Sequence, residues 1–513
     1  MRARADRGGV GVGALAAGLA LVAVLTGVRG VDLPAATYRV DLFVQHGFTL
    51  WDSQWYGGHW LFDYSVLYAP IASVGGVTAT EIVCAGIAAW AFYELAVARF
   101  GLSGQVGAVV FAAGTLVPVA IGQGPYLLGE AIAMLALLAA TRRRWVLALP
   151  LAVVCSLVAP LAGAFLALAA VAWLIGYWPS DRCLSAALAV AALAPIGVVE
   201  ELFPGQGNFP FSTHNFVGMM VGAIAVGLVA AVARDRAVTA GVALYVAAIV
   251  FAYGVPSALG NNVTRLGISV GVALAVCLVP TVRRARLLLV VAIIPIALAQ
   301  WVPASMALRG KEGDVGVSRA YYQPLIRFLA RSDHPLGRVE VVPTALHWEA
   351  VYVALRFPLA RGWERQLDTA DNPIFYVSGR LTRASYRAWL LDNGVRFVAL
   401  SNARLDYSAY GEAYLIRRGV PGLRLVWRNA DWRVYRVRGS RGLLSGPGRL
   451  LRADGDGMYL DAYGSGHILV RVHYSAAWRV ASGAATLSRS PAGWLALSAQ
   501  RPGPVALRIS LPT

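Results

Sequence analysis

The chain has 513 residues, 58% of them hydrophobic and only 14% charged, with a mean hydropathy of +0.60. Soluble domains carry about a quarter of their residues charged, so much of this surface faces something other than water and a single soluble globule is excluded. The formal charge of +18 does not point to nucleic acid. Lys311 is the sole lysine, the bias toward arginine fits GC-rich coding, and many arginines sit in short loops between apolar runs, where they set topology.

Arg2, Arg4 and Arg7 precede an apolar run at Val10–Val28. The run is too long for a signal-peptide core and no small-residue cleavage site follows, so it reads as an uncleaved first span with its N-terminus inside. Further spans are expected near Glu81–Ala98, Gly104–Ile121, Leu127–Ala140, Val146–Ala159, Leu161–Gly176, Leu184–Leu202, Phe216–Ala233, Val238–Gly254, Leu266–Pro280 and Leu287–Val302. The arginine clusters test this order. Arg142–Arg144, Arg234 with Arg236, and Arg283, Arg284 and Arg286 all fall in loops on one side, which the positive-inside rule makes cytoplasmic. About eleven spans by this reading leave everything after Trp301 outside the cell. Ser65–Ala79 is ambiguous between a re-entrant or interfacial helix and the start of a tilted span.

Past Ser305, charges, Trp and Tyr appear at globular frequency. Helices are expected at Tyr321–Ala330, His347–Leu355 and Leu381–Asn393, the last stopped by Gly394. Strands are expected at Val339–Val342 and Val395–Leu400, with a strand–turn–strand at Leu423–Val437 turning on Arg428–Asp431. This alternation predicts a small α/β domain. Beyond a Gly/Ser/Arg-rich hinge at Gly439–Gly448, short strands at Ile468–Tyr474, Trp478–Val480, Trp494–Ala499 and Val505–Leu511 predict a small β-sandwich. The expected fold is a polytopic α-helical membrane protein, with a membrane domain over 1–304, a first external loop at 31–65, an α/β domain over 305–438 and a β-rich domain over 449–513. Cys84, Cys155, Cys183 and Cys277 lie in or beside apolar segments and read as small buried hydrophobes. The C-terminal part, having none, folds without disulfides.

The densest chemistry lies in the first external loop, Tyr38–Pro70, with Asp41, Asp52, Asp63, His46, His59, Arg39 and many aromatics. Trp and Tyr anchor such loops at headgroup level, but three carboxylates and two histidines beside an apolar entrance are costly unless paired or used. Elsewhere, Arg265 sits in the polar break Gly260–Arg265 with Asn261 and Asn262. Irregular backbone there is tolerated where it lines a cavity or is buried in protein, and arginine offers a fork for phosphate. A tight turn with a snorkelling arginine is the plainer alternative. Glu130, within an apolar run after Gly122–Tyr126, is a functional candidate by default. Phe211–Asn215 reads as a helix cap at Ser212 or Thr213. His347, Trp348, Glu349, Arg361, Trp363 and Glu364 read as a packed core with ion pairs, or as an acceptor-sugar surface.

An acidic residue in the first external loop resembles the GT-C class of polytopic glycosyltransferases. The segment Trp51-Asp52-Ser53-Gln54-Trp55-Tyr56-Gly57-Gly58-His59 also resembles the loop of YfhO-type bacterial membrane proteins, as does the C-terminal stretch Tyr474-Ser475-Ala476-Ala477-Trp478. The resemblance implies transfer of a sugar from a polyprenyl-phosphate-linked donor to a cell-envelope glycan, lipid or protein at the outer face of the plasma membrane. For that reaction the residue types make Asp41 the first candidate base and Asp52 the second, and place Arg39, His59, Arg265, Asn261, Asn262 and Glu130 about the substrate and its phosphate. Asp41 has no acidic neighbour in sequence, so the choice of base, and a divalent cation, stay open. No Walker loop, nucleotide-binding glycine pattern, Ser–His–Asp signature or zinc spacing occurs. A transporter or flippase of a lipid-linked precursor, or a non-catalytic envelope-assembly protein, is the competing expectation.

Overall fold

The computed structural model describes residues 2–177, 182–205, 207–278, 297–298, 300–302, 304–305, 314–332, 336–454 and 456–511. The chain divides into two compact units, Met1–Ala36 with Asp63–Glu312, and Thr37–Phe62 with Gly313–Thr513.

The first unit is helical. It contains α1 (Arg2–Leu25), the first turn of α2 (Leu33–His46), α3 (Tyr68–Gly75), α4 (Val77–Phe100), α5 (Leu102–Gly114), α6 (Leu116–Ile121), α7 (Gly124–Thr141), α8 (Trp145–Val158), α9 (Pro160–Gly176), α10 (Arg182–Leu202), α11 (Thr213–Val232) and α12 (Arg236–Gly254). It also contains α13 (Gly260–Leu278). Among the described residues eight helices are long and apolar enough to cross a membrane (α1, α4, α5 with α6, α7, α10, α11, α12 and α13), while α8 and α9 are shorter apolar helices. Apolar side chains such as Val146, Val190 and Leu228 point outward, a surface suited to lipid rather than water. The chain is a multi-pass membrane protein. The expected span Leu287–Val302 and the cluster Arg283, Arg284 and Arg286 lie outside the described residues, save for a few at the end of that span.

Small residues let these helices approach. A Cβ on Gly13 of α1 would meet Gly86 O of α4 at 2.9 Å, and one on Gly107 of α5 would meet Ala273 O of α13 at 2.8 Å, as expected where packing rather than hydrophobicity drives association. Pro160 lacks an N–H and ends the α8 ladder. The carbonyls freed there are taken up locally. Val66 and Leu67 N–H donate to Leu157 O at 2.9 and 3.0 Å, and Ser65 Oγ donates to Val158 O at 2.7 Å. The ambiguous Ser65–Ala79 stretch is thus a short helix, α3, pinned on the α8–α9 break and running into α4.

The second unit has an α/β part and a β-rich part. A four-stranded sheet runs β3–β4–β6–β5, with β3 (Arg338–Val341) parallel to β4 (Val395–Ser401) and β5 (Leu423–Arg428) and β6 (Trp432–Val437) antiparallel. Helices α14 (Arg319–Arg331), α15 (Glu349–Tyr352), α16 (Arg365–Asp371), α17 (Arg383–Asp392) and α18 (Tyr410–Arg417) accompany it. Tyr386, Leu390, Val398, Leu400 and Ile416 build its core. Two further four-stranded sheets follow. One joins β7 (Leu444–Ser445), β10 (Gly466–His473), β13 (Trp494–Ala499) and β12 (Ala485–Arg489). The other joins β8 (Gly448–Asp454), β9 (Gly457–Ala462), β14 (Gly503–Ile509) and β11 (Trp478–Ser482). The helix expected over His347–Leu355 is only the single turn α15. His347 takes a positive φ of 54°, and Glu349 turns back to accept from Thr344 Oγ1 at 2.6 Å, which ends the helix on its N-terminal side.

The stretch read as an external loop contains a helix and a short hairpin. Residues Thr37–Phe62 join the second unit, forming the rest of α2 and a hairpin of β1 (Trp51–Asp52) with β2 (His59–Trp60). This segment is stitched to distant parts of its own unit. Trp55 Nε1 donates to Ala350 O at 3.1 Å, Leu359 N–H to Gln54 O at 2.7 Å and His473 N–H to Gly57 O at 2.8 Å. Asp456 accepts from the N–H groups of Leu50 and Trp51 at 2.9 and 3.0 Å. The glycine pair has a steric reason: a Cβ on Gly58 (φ 113°) would lie 2.5 Å from Trp51 Nε1.

Candidate functional site

In the first unit the sequence brings three breaks together. After α1 the chain turns at Gly27, and Asp32 N–H donates to Ile121 O at 2.9 Å. That approach needs two glycines. A Cβ on Gly30 would lie 2.0 Å from Ile121, and one on Gly122 (φ 85°) would lie 2.4 Å from Leu33 N. The α6–α7 break thereby delivers Gln123 and Tyr126 beside Asp32, with Gln123 Nε2 donating to its carboxylate at 3.4 Å. The third break is the start of α13, whose first turn is a 3₁₀ helix and whose Gly267–Gly271 segment is π-helical. Such an irregularity often marks a functional position.

Arg265, at that break, is 3.7 Å from the Asp32 carboxylate, with side-chain exposures of 21% and 30%. Both therefore keep an open face. The guanidinium lies 5.5 Å from the Tyr126 ring centroid, and Tyr126 Oη is 3.2 Å from Ser269 Oγ in the π segment. Glu130, buried one turn further along α7, faces Ser269 without a hydrogen bond of normal geometry. Arg265 and Glu130 thus belong to one cluster with Asp32, Gln123, Tyr126 and Ser269. Glu81 and Tyr68 flank it: a Cβ on Gly124 would meet Tyr68 Oη at 2.3 Å and Glu81 Oε1 at 3.4 Å. Asn261 and Asn262 shape the turn. Asn261 Oδ1 accepts from Asn215 Nδ2 at 3.0 Å, Asn262 Nδ2 donates to Ala258 O at 2.9 Å, and Ser212 caps α11 by accepting from Asn215 N–H.

An apolar cavity of about 560 Å³ opens between α9, α11, α12 and α13. Its wall includes Leu266, Gly267 and Ile268, the residues immediately after Arg265, together with Tyr245, Met219 and Phe165. Tyr245 Oη holds the irregular backbone there, donating to Val263 O at 3.0 Å and accepting from Gly267 N–H at 3.1 Å.

The other expected site residues lie in the second unit. Asp52 is fully buried. One oxygen accepts from Tyr38 Oη at 2.9 Å and the other from Gln54 N–H at 2.8 Å. Burial pushes its carboxyl up to about 6 against those hydrogen bonds. Arg39 pairs with Glu364 at 2.5 Å. The buried His59 imidazole is driven down to about 3 by desolvation, with the Arg39 and His473 charges adding to it. Asp41, on α2, is half-buried, and burial raises its carboxyl while Arg319 counters. Asp41, Asp52, Arg39 and His59 therefore share a unit with the C-terminal part, whereas Arg265, Asn261, Asn262 and Glu130 share the other. Sequence reasoning missed Asp32, the first acid after the first span, which carries no distinguishing motif.

Of the C-terminal candidates, His347, Trp348, Glu349, Arg361, Trp363 and Glu364 are all buried. Arg361 forks onto Asp368 at 2.5–3.2 Å and reaches Glu412 at 3.4 Å. His347 stacks on Trp363 at 3.5 Å, with Glu349 at 3.3 Å and Asp406 at 3.4 Å from its two nitrogens. Arg365 forks onto Asp406 at 2.9 and 3.1 Å. This is a closed ion network. Among the described residues no group of His, Cys, Asp and Glu is arranged to hold a metal ion.

No family model matches the chain, and no curated protein matches it. Among solved structures, the chain is similar to the cryo-EM structure of arabinofuranosyltransferase AftD from Mycobacteria, at 18% identity and a TM-score of 0.47 over 88% of this chain. The match covers 41% of that protein's length, and so slight a likeness fixes neither fold nor activity.

Proposed function

We propose that the chain is a membrane glycosyltransferase of GT-C type. It moves a sugar from a polyprenyl-phosphate-linked donor to a cell-envelope acceptor at the extracytoplasmic face. The observation that carries this reading is the part-exposed Asp32–Arg265 pair, 3.7 Å apart, set among apolar helices. A charged pair at such a place is expensive unless it is used. In the reaction, an acceptor hydroxyl attacks the anomeric carbon, the Asp32 carboxylate takes the hydroxyl proton, and the bond from the anomeric carbon to the phosphate oxygen breaks. The phosphate leaves with the bonding pair, and Arg265 stabilises the charge that develops on it. Tyr126 and Gln123 hold the two charged groups in place. The neighbouring apolar cavity supplies a surface for the lipid part of the donor, which a free nucleotide sugar would not need.

Asp41 and Asp52 are the alternative bases, and the test treats all three carboxylates alike. Purified protein in proteoliposomes is given a polyprenyl-phosphate sugar and an acceptor. Asp32→Asn is expected to lose transfer by about 10²–10⁴-fold, the usual worth of a positioned base, while Asp41→Asn and Asp52→Asn keep it. Loss with Asp41→Asn or Asp52→Asn alone moves the base to that residue, and unchanged transfer in all three overturns the assignment. The buried Glu81 and Glu130 favour a second reading, a transporter or flippase of a lipid-linked precursor, because intramembrane carboxylates recur along transport paths. Movement of lipid-linked sugar across the same vesicles with no covalent product would establish it.

A further inference from the structure

From residue 313 onward the chain carries 27 arginines and 14 acidic residues. Among the described residues seven of those acids are buried, so the outward charge of this stretch is strongly basic. Part of it lies on the β5–β6 hairpin, whose strands hold Arg424, Arg428, Arg433 and Arg436 and no acid, with Asp431 in the turn between them. All four are exposed. The register sets Arg424 directly opposite Arg436, and Arg428 directly opposite Arg433. Like charges directly opposite one another weaken a hairpin. Charge on an outer strand guards against edge-to-edge aggregation, and β5 is such an edge. That purpose accounts for Arg424 and Arg428. It does not account for Arg433 and Arg436, which lie on the inner neighbour β6.

Two further features say what the charge is for. A bulge between Leu425 and Trp427 breaks the register, and there Leu425 and Val426 are 43% and 37% exposed. Trp427 is not available as a stacking platform, because it lies against Phe328 at 5.1 Å. The two arginine pairs are separated by an odd number of positions along β6, so they emerge on opposite faces of the sheet. An edge with positive charge on both sides and aliphatic side chains at its bulge suits a charged plane approached edge-on. It does not suit a polymer chain held against one face, which would ask for an open aromatic surface.

We propose that the β5–β6 hairpin is a docking edge for an anionic lipid surface, with the four arginines taking headgroup phosphates and Leu425 and Val426 entering the headgroup–acyl boundary. This is independent of the transfer reaction.

The test uses the full chain in nanodiscs, carrying Val426→Cys labelled with a polarity-sensitive fluorophore. Cys183, the exposed native thiol, is replaced by Ser. In discs mixing phosphatidylglycerol and phosphatidylcholine equally, the emission is expected to shift to the blue relative to pure phosphatidylcholine, and to return as salt screens the attraction. Replacing the four arginines by Gln should abolish the shift while sugar transfer continues. An equal emission in both lipids overturns the proposal. So does a shift produced by soluble polyphosphate in pure phosphatidylcholine discs with none from phosphatidylglycerol, which would assign the edge to a polymer.

Discussion

Two charged clusters, one in each unit, are built in opposite ways. In the second unit, Arg361 is closed in by Asp368, Glu412 and Ser408, with Phe375 4.1 Å beneath its guanidinium, and Arg39 is closed in by Glu364. In the first unit, Arg265 and Asp32 meet at 3.7 Å with open faces, and Glu130 lies buried beside them. A closed network holds a fold together, because every charge left alone in low dielectric is costly. A part-exposed pair leaves a face that a ligand can reach. Counting charged residues in the sequence cannot tell the two apart, and the WDSQWYGGH segment shows why. It has the composition of a substrate loop, yet its Trp55, Tyr56 and Gly58 are bound into the second unit's core.

Substitutions separate the two kinds of cluster. The largest stability effect is expected from Arg361→Gln, which strands the buried carboxylates of Asp368 and Glu412. It should cost about 3–5 kcal/mol, read as a lowered thermal midpoint in tryptophan fluorescence. An unchanged midpoint would mean that the network contributes no stability. Gly58→Ala should cost about 1–3 kcal/mol, typical of forcing a side chain into an unfavourable backbone region, with Trp51 emission altered because the new Cβ meets its ring.

The smallest effect concerns pH. Burial works against a charge on His347, but Asp406 and Glu349 outweigh it and hold the imidazolium above its ordinary 6.5. A raised histidine contributes stability that is fully present below the unfolded value and is lost as pH rises through the folded value. Stability of the second unit should therefore fall as pH is raised above about 6.5. His347→Gln should flatten that slope, whereas the same slope in the variant would assign it to another group.

What could be read in advance follows the range of the forces involved. The spans at α4, α7 and α10–α12 were legible because hydropathy and flanking arginines are local. The helix stop at Gly394 was legible too, and it takes φ 64°. The placement of Thr37–Phe62 was not, since it rests on contacts such as Trp55 to Ala350, 295 positions apart. Asp32 escaped notice for the same reason. Its partners Gln123 and Arg265 are brought to it by the close approach at Gly30 and Gly122, which no local pattern records. Strands β8 and β9 were missed because Arg449, Arg452 and the flanking glycines blur the alternation at Gly448–Ala462.

Whether Asp32 and Arg265 serve one transition state is decided by a double-mutant cycle of sugar transfer with Asp32→Asn and Arg265→Gln. Groups acting as a unit are not additive, so the double variant should be scarcely slower than the worse single one. Full transfer in either single variant, or losses that simply multiply, would mean that the two residues do not act together.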